Sequence, residues 1–350
     1  MSSDAATPAN LGSSSLSDVM AAVDTLTDHR TADTRVQGDA RSGEVYIVTD
    51  KIVTALKVAL VTGRPLLLGG PPGCGKSSLA SYIARNLCVA YYEFITTDEV
   101  RPADLTWRLD AVRRLGDAQA SMLSQKSGSA SIAPYIEPGP LWWALNPDSA
   151  ASRGIDPASP GYADIEPARP PRLLADYTPA RVGSVLLIDE IDKADAAFCN
   201  GLLVPLGSKQ VFITALDRTV RPAADAPDWS PLTIITTNNE RDLPEAFLRR
   251  CIVLRLASPD AEGLVQIVDR HFPELGPEMR SLVAKLAHQV TDPLDDERPV
   301  STAEFIDLVK VIVHLSGQTG QLDEETLATI QQVTLHKHQL YGRRDRMWST

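Results

Sequence analysis

The sequence is poor in aromatic residues, and it has no long apolar run. Phe, Trp and Tyr account for 5% of the 350 residues while hydrophobic residues reach 43%, so any core must be mainly aliphatic. An aliphatic core is typical of helices packed on a parallel sheet and argues against a β-sandwich. No segment reaches the length of about 20 apolar residues that a membrane span needs. We therefore expect a soluble protein of the cytoplasm with no membrane partner.

Cysteine is also scarce. The four cysteines are widely spaced and form no C-x-x-C pair: Cys74, Cys88, Cys199 and Cys251. This spacing predicts neither a zinc site nor a disulfide framework.

Positive charge is concentrated nowhere except in a short cluster at residues 343–346. The formal net charge of the chain is −11. An acidic surface repels phosphate backbones, so we expect no direct binding to nucleic acid.

Five short apolar runs predict the buried strands of a sheet, and helical patterns separate them. The runs are Pro65–Leu68, Tyr91–Ile95, Val185–Ile188, Leu232–Ile235 and Ile252–Leu256. Continuous apolar runs with helical spacers are typical of a parallel sheet covered by helices on both faces. The predicted fold class is therefore α/β, a three-layer fold with a five-stranded parallel sheet.

The composition changes along the chain and indicates its division into parts. Residues 1–44 are rich in Ser, Ala, Thr and Asp, and we predict a disordered tail there. The α/β domain is expected at 45–256, with exposed insertions at 116–133 and 146–182. Residues 257–345 show helical periodicity alone and predict a small all-helical domain.

One helix of this C-terminal part has a clear start signal. Ser301 and Glu304 match a capping box, in which each side chain accepts from the other residue's backbone N–H. The apolar residues Phe305, Leu308 and Ile312 follow at helical spacing. A helix is therefore predicted to begin just after Ser301.

A glycine-rich segment between the first strand and the next helix matches the phosphate-binding P-loop pattern. Its backbone N–H groups and the helix N-terminus are suited to phosphate oxygens. Lys76 is predicted to contact the β and γ phosphates, and Ser77 to bind Mg²⁺. The candidate nucleotide-binding residues are Gly70, Pro71, Pro72, Gly73, Cys74, Gly75, Lys76, Ser77 and Ser78.

Two acidic residues follow the strand predicted at Val185–Ile188. Carboxylates at the carboxyl end of a buried parallel strand lie at the edge of the sheet where ligands bind. Asp189 is suited to hold Mg²⁺, and Glu190 to orient and deprotonate an attacking water. Asp192 and Lys193, which come next, are interpreted as surface or interface charges.

The strand at Leu232–Ile235 ends in a similar way, in polar residues. An amide of Asn238 or Asn239 in this position is suited to contact a γ-phosphate or the attacking water. A short helix then ends in Arg249 and Arg250, which by themselves are typical of solvated charges at a helix C-terminus.

Together these motifs resemble the AAA+ ATPases, and within them the MoxR-like and dynein-related branch. The resemblance rests on GPPGCGKS, LLIDEID, IITTNNERDLPEAFLRR and the segment 137–142, which resembles the family's motif after its helix-2 insertion. It covers residues from about 45 to 345.

The resemblance implies a role for each matching residue. Lys76 and Ser77 correspond to the Walker A contacts, and Asp189 and Glu190 to the Walker B pair. The small helical C-terminal domain corresponds to the lid.

It further implies that Asn238 is the sensor 1 residue, with Asn239 as the competing alignment. Arg250 is implied to be the arginine finger that reaches a neighbouring subunit, with Arg249 as the alternative. Relatives often carry a sensor 2 arginine where this sequence has residues 299–304, and no arginine matches there.

The function implied by this resemblance is ATP hydrolysis with Mg²⁺ in a homohexameric ring that remodels or activates a partner protein. Two alternatives are kept open. One is a nucleotide-controlled switch or scaffold in a bacterial defence or signalling system. The other is the motor subunit of a nucleic-acid-processing complex.

Overall fold

The computed structural model of the chain describes residues 15–27, 43–124, 131–159, 162, 166–171, 174, 177–291, 300–316 and 322–335. The strands, in chain order, are β1 Leu66–Gly69, β2 Ala90–Ile95, β3 Trp107–Leu109, β4 Ile136–Pro138, β5 Ser184–Asp189, β6 Val211–Ile213, β7 Arg218–Val220, β8 Leu232–Thr237 and β9 Ile252–Arg255. The helices are α1 Leu16–Asp24, α2 Asp50–Thr62, α3 Lys76–Leu87, α4 Pro102–Thr106, α5 Ala111–Ser124, α6 Pro140–Leu145, α7 Pro147–Ala151, α8 Ala196–Ser208, α9 Glu245–Leu248, α10 Ala261–His271, α11 Pro277–Thr291, α12 Thr302–Ser316 and α13 Glu324–Thr334.

Five strands form the main sheet in the order β2-β5-β8-β1-β9, and the pairings β2 with β5, β5 with β8 and β8 with β1 are parallel. Each of the five predicted apolar runs forms one of these strands, so the α/β prediction is confirmed. The central strands β1, β5 and β8 are buried along their whole length, which explains why their sequences are mainly apolar. Two small antiparallel strand pairs, β3-β4 and β6-β7, were not predicted from the sequence.

The register of the sheet aligns the carboxyl ends of its strands. Gly69, the last residue of β1, pairs with Thr237 of β8, and Ile95 of β2 pairs with Asp189 of β5. The polar residues predicted to carry chemistry therefore follow strands that end at the same edge of the sheet.

The described residues divide into two compact units. The first lies within Met1–His29, Val48–Gly69 and Leu79–Leu254, and it contains the sheet. Among its core residues are Trp142 and Trp143 of α6, which are 0% and 4% exposed. Their burial shows that this tryptophan pair packs in the core.

The N-terminal segment differs from the predicted tail. Ser15 caps α1 through a reciprocal capping box with Asp18. Val19, Val23 and Leu26 are buried, and the Tyr82 hydroxyl donates to the Leu26 carbonyl at 2.6 Å. Three apolar side chains at helical spacing are enough to pack one short helix on the domain, although the sequence of this segment predicts no more than a weak amphipathic turn or two. The rest of the predicted tail up to residue 42 lies outside the described residues.

The segment at 146–182 is less exposed than predicted. Ala150 of α7 and Leu174 are buried. The Tyr177 hydroxyl lies 2.9 Å from the Ala84 carbonyl and 2.8 Å from the Val89 carbonyl. The segment is therefore joined to the core at several points, although its apolar residues show no periodicity. By contrast, the first ten residues of α5, part of which falls in the insertion predicted at 116–133, are exposed.

The second unit lies within Arg30–Ile47, Gly70–Ser78 and Arg255–Thr350. It contains α10 to α13, whose buried residues form one apolar cluster. The predicted capping box is present, because Ser301 N and Glu304 N donate to the opposite side chains at 3.0 and 3.2 Å. The division differs from the predicted boundary at residue 256, since the P-loop is grouped with this unit. The predicted end of the domain at 345 lies outside the described residues.

Within the part of the chain that the structure describes, every helix is too short or too polar to cross a membrane.

Candidate functional site

The P-loop follows β1 and leads into α3, which begins at Lys76 and has Ser77 and Ser78 in its first turn. Gly73 has a φ of +77°, a backbone conformation that residues other than glycine rarely adopt. A Cβ atom on Gly73 would lie 2.2 Å from the Ser301 Cβ. The Thr302 N–H also donates to the Gly73 carbonyl at 3.3 Å. The first turn of α12 therefore rests on the P-loop at Gly73.

Lys76 is buried at 6% exposure. Its ammonium donates to the carbonyls of Gly70 at 2.8 Å and Pro71 at 2.9 Å. Both partners are neutral, and no carboxylate among the described residues pairs with this cation. A buried charge is costly unless an opposite charge compensates it, so this position favours an anionic ligand.

Cys74 and Gly75 lie in the middle of the P-loop. Burial raises the pKa of the Cys74 thiol, and the Lys76 ammonium opposes this change. A raised pKa keeps the thiol protonated near neutral pH, as expected of a small loop residue and not of a reactive thiolate. The Tyr46 ring packs against Gly75, where an added Cβ would lie 3.1 Å from a ring carbon.

Gly73→Ala tests the contact with α12. The methyl group would meet Ser301 and the backbone would be strained, so we expect a loss of about 1–3 kcal/mol in the free energy of unfolding. Urea denaturation measures this loss. Gly207→Ala in α8 is the matched control, because no atom lies within 4 Å of the added Cβ. It should be stabilising by about 0.5–1 kcal/mol, since alanine is the better helix former. If the two substitutions changed the free energy of unfolding by the same amount, the contact between Gly73 and Ser301 would be contradicted.

The acidic pair lies at the end of β5, in the first unit. Asp189 is buried, and its Oδ1 accepts from the Thr236 hydroxyl of β8. The same Thr236 oxygen accepts from the Glu190 N–H at 2.9 Å. Glu190 adopts a left-handed backbone with φ 57° and ψ 49°, a conformation that costs about 1–3 kcal/mol for a residue with a side chain. Thr236 therefore holds both acids in place across two neighbouring strands.

Asp192 is buried, contrary to its interpretation as a surface charge. It is 2% exposed, and its Oδ2 accepts from the backbone N–H groups of Asn238 at 3.0 Å and Glu240 at 2.9 Å. Its Oδ1 has no hydrogen-bond partner in the described part of the chain. Asp192 thus fastens the turn after β8 to the turn after β5.

This connection brings Asn238 to Glu190. The Asn238 Nδ2 lies 3.3 Å from Glu190 Oε1. Asn239 points elsewhere, because its side-chain oxygen lies 3.4 Å from the position of a Cβ on Gly69. The geometry places Asn238 at the acidic pair and Asn239 at the end of β1, and the assignment of sensor 1 to Asn238 stays a prediction.

Lys193 also contacts Glu190, at the end of the 3-10 turn Ile191–Lys193. Its ammonium forms an ion pair with Glu190 Oε2. The hydrogen bond with Glu190 raises the pKa of Lys193, and the nearby charges of Glu240 and Asp189 raise it further. Both oxygens of the Glu190 carboxylate are therefore engaged.

The paired arginines follow α9 and are both exposed. Arg249 forms an ion pair with Glu245, one helical turn earlier. Arg250 donates instead to the Ala246 carbonyl at 3.0 Å. A backbone carbonyl is a weaker partner than a carboxylate, so Arg250 is the more readily released of the two. Arg298, next to the segment without a sensor 2 arginine, lies outside the described residues.

Two residues predicted to bind Mg²⁺ each carry an oxygen of the kind that this ion takes. Mg²⁺ in nucleotide sites takes one or two protein oxygens and completes its shell with phosphate and water. Ser77 of the second unit offers a hydroxyl and Asp189 of the first a carboxylate, and their shared use for one ion stays a prediction. No group of three or more His, Cys, Asp or Glu side chains suited to a metal occurs in the described ranges.

Two residues of this network were not predicted from the sequence. Thr236 carries a hydroxyl near the end of β8, directly before the polar turn, and this position was a usable signal. Asp192 offered no such signal, since an aspartate three residues after Asp189 is equally typical of an exposed turn.

A comparison with protein families gives one match. Residues 36–128 match a family model described as the MoxR domain in the MoxR-vWA-beta-propeller ternary systems. The matched stretch contains β1, the P-loop and β2. The match confirms the resemblance to MoxR-like AAA+ ATPases that the motifs indicated. No protein of curated function matches the sequence.

Several solved structures are similar to this chain. One is RuvB of Thermotoga maritima, described as a Holliday junction branch migration motor, with 17% identity, a TM-score of 0.40, and coverage of 80% of this chain and 66% of that chain. Two variants of the same protein give 17% identity and a TM-score of 0.43, with 81% of this chain covered and 67% and 68% of theirs. This chain spans about two thirds of the length of the RuvB chains that it matches.

Proposed function

We propose that this protein binds ATP with Mg²⁺ and hydrolyses it. The observation that carries the proposal is the buried Lys76 ammonium, which has no anionic partner among the described residues and lies in a glycine-rich loop at a helix N-terminus. A phosphate group supplies the missing charge, and the loop supplies backbone N–H groups. Lys76 holds the β and γ phosphates, and Ser77 with Asp189 binds Mg²⁺, which neutralises charge on the phosphates.

The protein's own groups then act on the water. Glu190 accepts the proton of the attacking water, and Asn238 orients that water or the γ-phosphate. Arg250 stabilises the charge that develops on the transferred phosphoryl group of a neighbouring subunit. The site is therefore complete only in a ring of like subunits, for which we propose a hexamer.

The partner is proposed from the family match. The matching family model describes MoxR domains that occur with vWA and β-propeller proteins. We infer that ATP hydrolysis here remodels or activates a partner protein of one of these two kinds, in the cytoplasm. Copurification with a Glu190→Gln variant, which is expected to hold ATP, tests this inference.

Lys76→Ala tests nucleotide binding. It removes the one side-chain cation placed among the phosphates, and a hydrogen bond to a charged group contributes about 1.5–3 kcal/mol. We therefore expect ATP affinity to fall about 10- to 150-fold in a fluorescent-nucleotide titration. Lys51→Ala, an exposed lysine on α2, is the control and should bind as the wild type does. Unchanged affinity of the Lys76 variant would exclude the proposed site.

A further inference from the structure

The Glu190 carboxylate is engaged on both sides by neighbours from its own chain. Asn238 donates to Oε1 and Lys193 to Oε2. A general base needs a lone pair directed at the water whose proton it takes. Each oxygen keeps a further lone pair, so these two contacts leave acceptor sites open but fix the direction in which the carboxylate points.

The backbone fixes this arrangement. Glu190 is held in its left-handed conformation by Thr236, and the 3-10 turn Ile191–Lys193 follows immediately. The buried Asp192 anchors the middle of that turn to the backbone of Asn238 and Glu240. Glu190 and Lys193 therefore flank a turn that is held at its start by Thr236 and at its middle by Asp192.

The ion pair itself is easily broken. The Lys193 side chain is 45% exposed and that of Glu190 is 30% exposed. Exposed ion pairs of this kind are weak and are screened by salt. Glu240 and Asp189 also attract the ammonium, so Lys193 has other anions nearby when Glu190 moves away.

We propose that Lys193 is a positioning residue that restrains ATP hydrolysis by holding the Glu190 carboxylate in its ion pair. Release of Oε2 by Lys193 frees the Glu190 carboxylate to turn toward the attacking water. This inference rests on the proposed function, because it assigns Glu190 as the base. It makes slow basal turnover a built-in property of the chain.

The test is the steady-state ATPase rate at saturating ATP for Lys193→Met. We expect kcat to rise about two- to fivefold, in keeping with the strength of an exposed ion pair, and ATP affinity to stay unchanged. Lys193→Arg keeps the cation and should remain near the wild-type rate. Lys51→Met is the control for loss of an exposed lysine and should leave the rate unchanged.

Two further measurements separate this role from a structural one. The double variant Lys193→Met with Glu190→Gln should be as inactive as Glu190→Gln alone, because the expected rise in kcat requires Glu190 as the base. Raising the salt concentration should increase the wild-type kcat and leave that of Lys193→Met unaffected. If Lys193→Met proves unstable in a thermal melt, Lys193→Gln replaces it in the same assays.

A rate for Lys193→Met at or below that of the wild type, with Glu190-dependent hydrolysis intact, overturns the inference and leaves the proposed function standing. A wild-type protein whose hydrolysis does not depend on Glu190 overturns both.

Discussion

Glu190→Gln should keep ATP binding and reduce hydrolysis about 10²- to 10⁴-fold, the usual contribution of a general base. The amide has nearly the same shape, and its oxygen still accepts a hydrogen bond from Lys193. It does not accept the proton of the attacking water. The change is therefore expected in kcat, with little change in nucleotide affinity, because the proton moves only during the reaction.

Phosphate release and a nucleotide titration measure the two quantities. Glu240→Gln is the matched control, since Glu240 is a nearby exposed acid whose backbone contacts Asp192. It should hydrolyse ATP within about twofold of the wild type, as expected for a surface substitution. Hydrolysis by Glu190→Gln at the wild-type rate would remove Glu190 from the mechanism.

The strands and motifs of this protein could be predicted because their signals are local in sequence. β1, β5 and β8 are buried throughout, and a fully buried strand is typically a short, mainly apolar run in the sequence. The P-loop and the capping box at Ser301 likewise depend on residues within a few positions of one another.

The features that the sequence did not predict depend on contacts between residues far apart in the chain. Asp192 acts through backbone groups 46 and 48 residues later in the chain, and nothing in its local sequence distinguishes it from a solvated aspartate. The burial of the segment at 146–182 has the same cause, because Tyr177 bonds to carbonyls 88 and 93 residues earlier. Such a segment needs no periodic pattern in order to pack, so its sequence predicted an exposed loop.

The connection through Asp192 also explains how two motifs come to lie together. The acidic pair follows β5 and Asn238 follows β8, and these strands are neighbours in the sheet. Adjacent strands bring the turns near each other, but side chains set the distance between them. Thr236 of β8 sets this distance by holding the Glu190 backbone after β5, and Asp192 sets it by holding the Asn238 backbone after β8.

Arg250→Ala should bind ATP normally and lose hydrolysis by about 10³- to 10⁵-fold, the contribution of an arginine finger. A guanidinium stabilises the transferred phosphoryl group only if it reaches those oxygens, and such groups are often supplied by a neighbouring molecule. Arg249→Ala is the matched control. Because Arg249 is paired with Glu245, its removal should leave most of the hydrolysis intact.

Mixing two inactive variants tests whether Arg250 acts on a neighbouring subunit. The Arg250→Ala protein keeps an intact Glu190, and the Glu190→Gln protein keeps an intact Arg250. In a randomly mixed ring with equal amounts of both, about one quarter of the interfaces combine the two intact residues and should regain activity. An arginine that acts within its own subunit cannot be rescued, since every subunit then carries one defect.

Subunit exchange is verified first, by pull-down of one labelled variant with the other. If exchange occurs and the mixture stays as inactive as its components, Arg250 does not act on a neighbour. The same mixing experiment with Arg249→Ala in place of Arg250→Ala then tests whether Arg249 acts on the neighbour. For Arg249 to do so, its ion pair with Glu245 must first break. If the mixture with Arg250→Ala regains activity and Arg249→Ala alone is fully active, the arginine finger is Arg250, which donates to a backbone carbonyl in this structure.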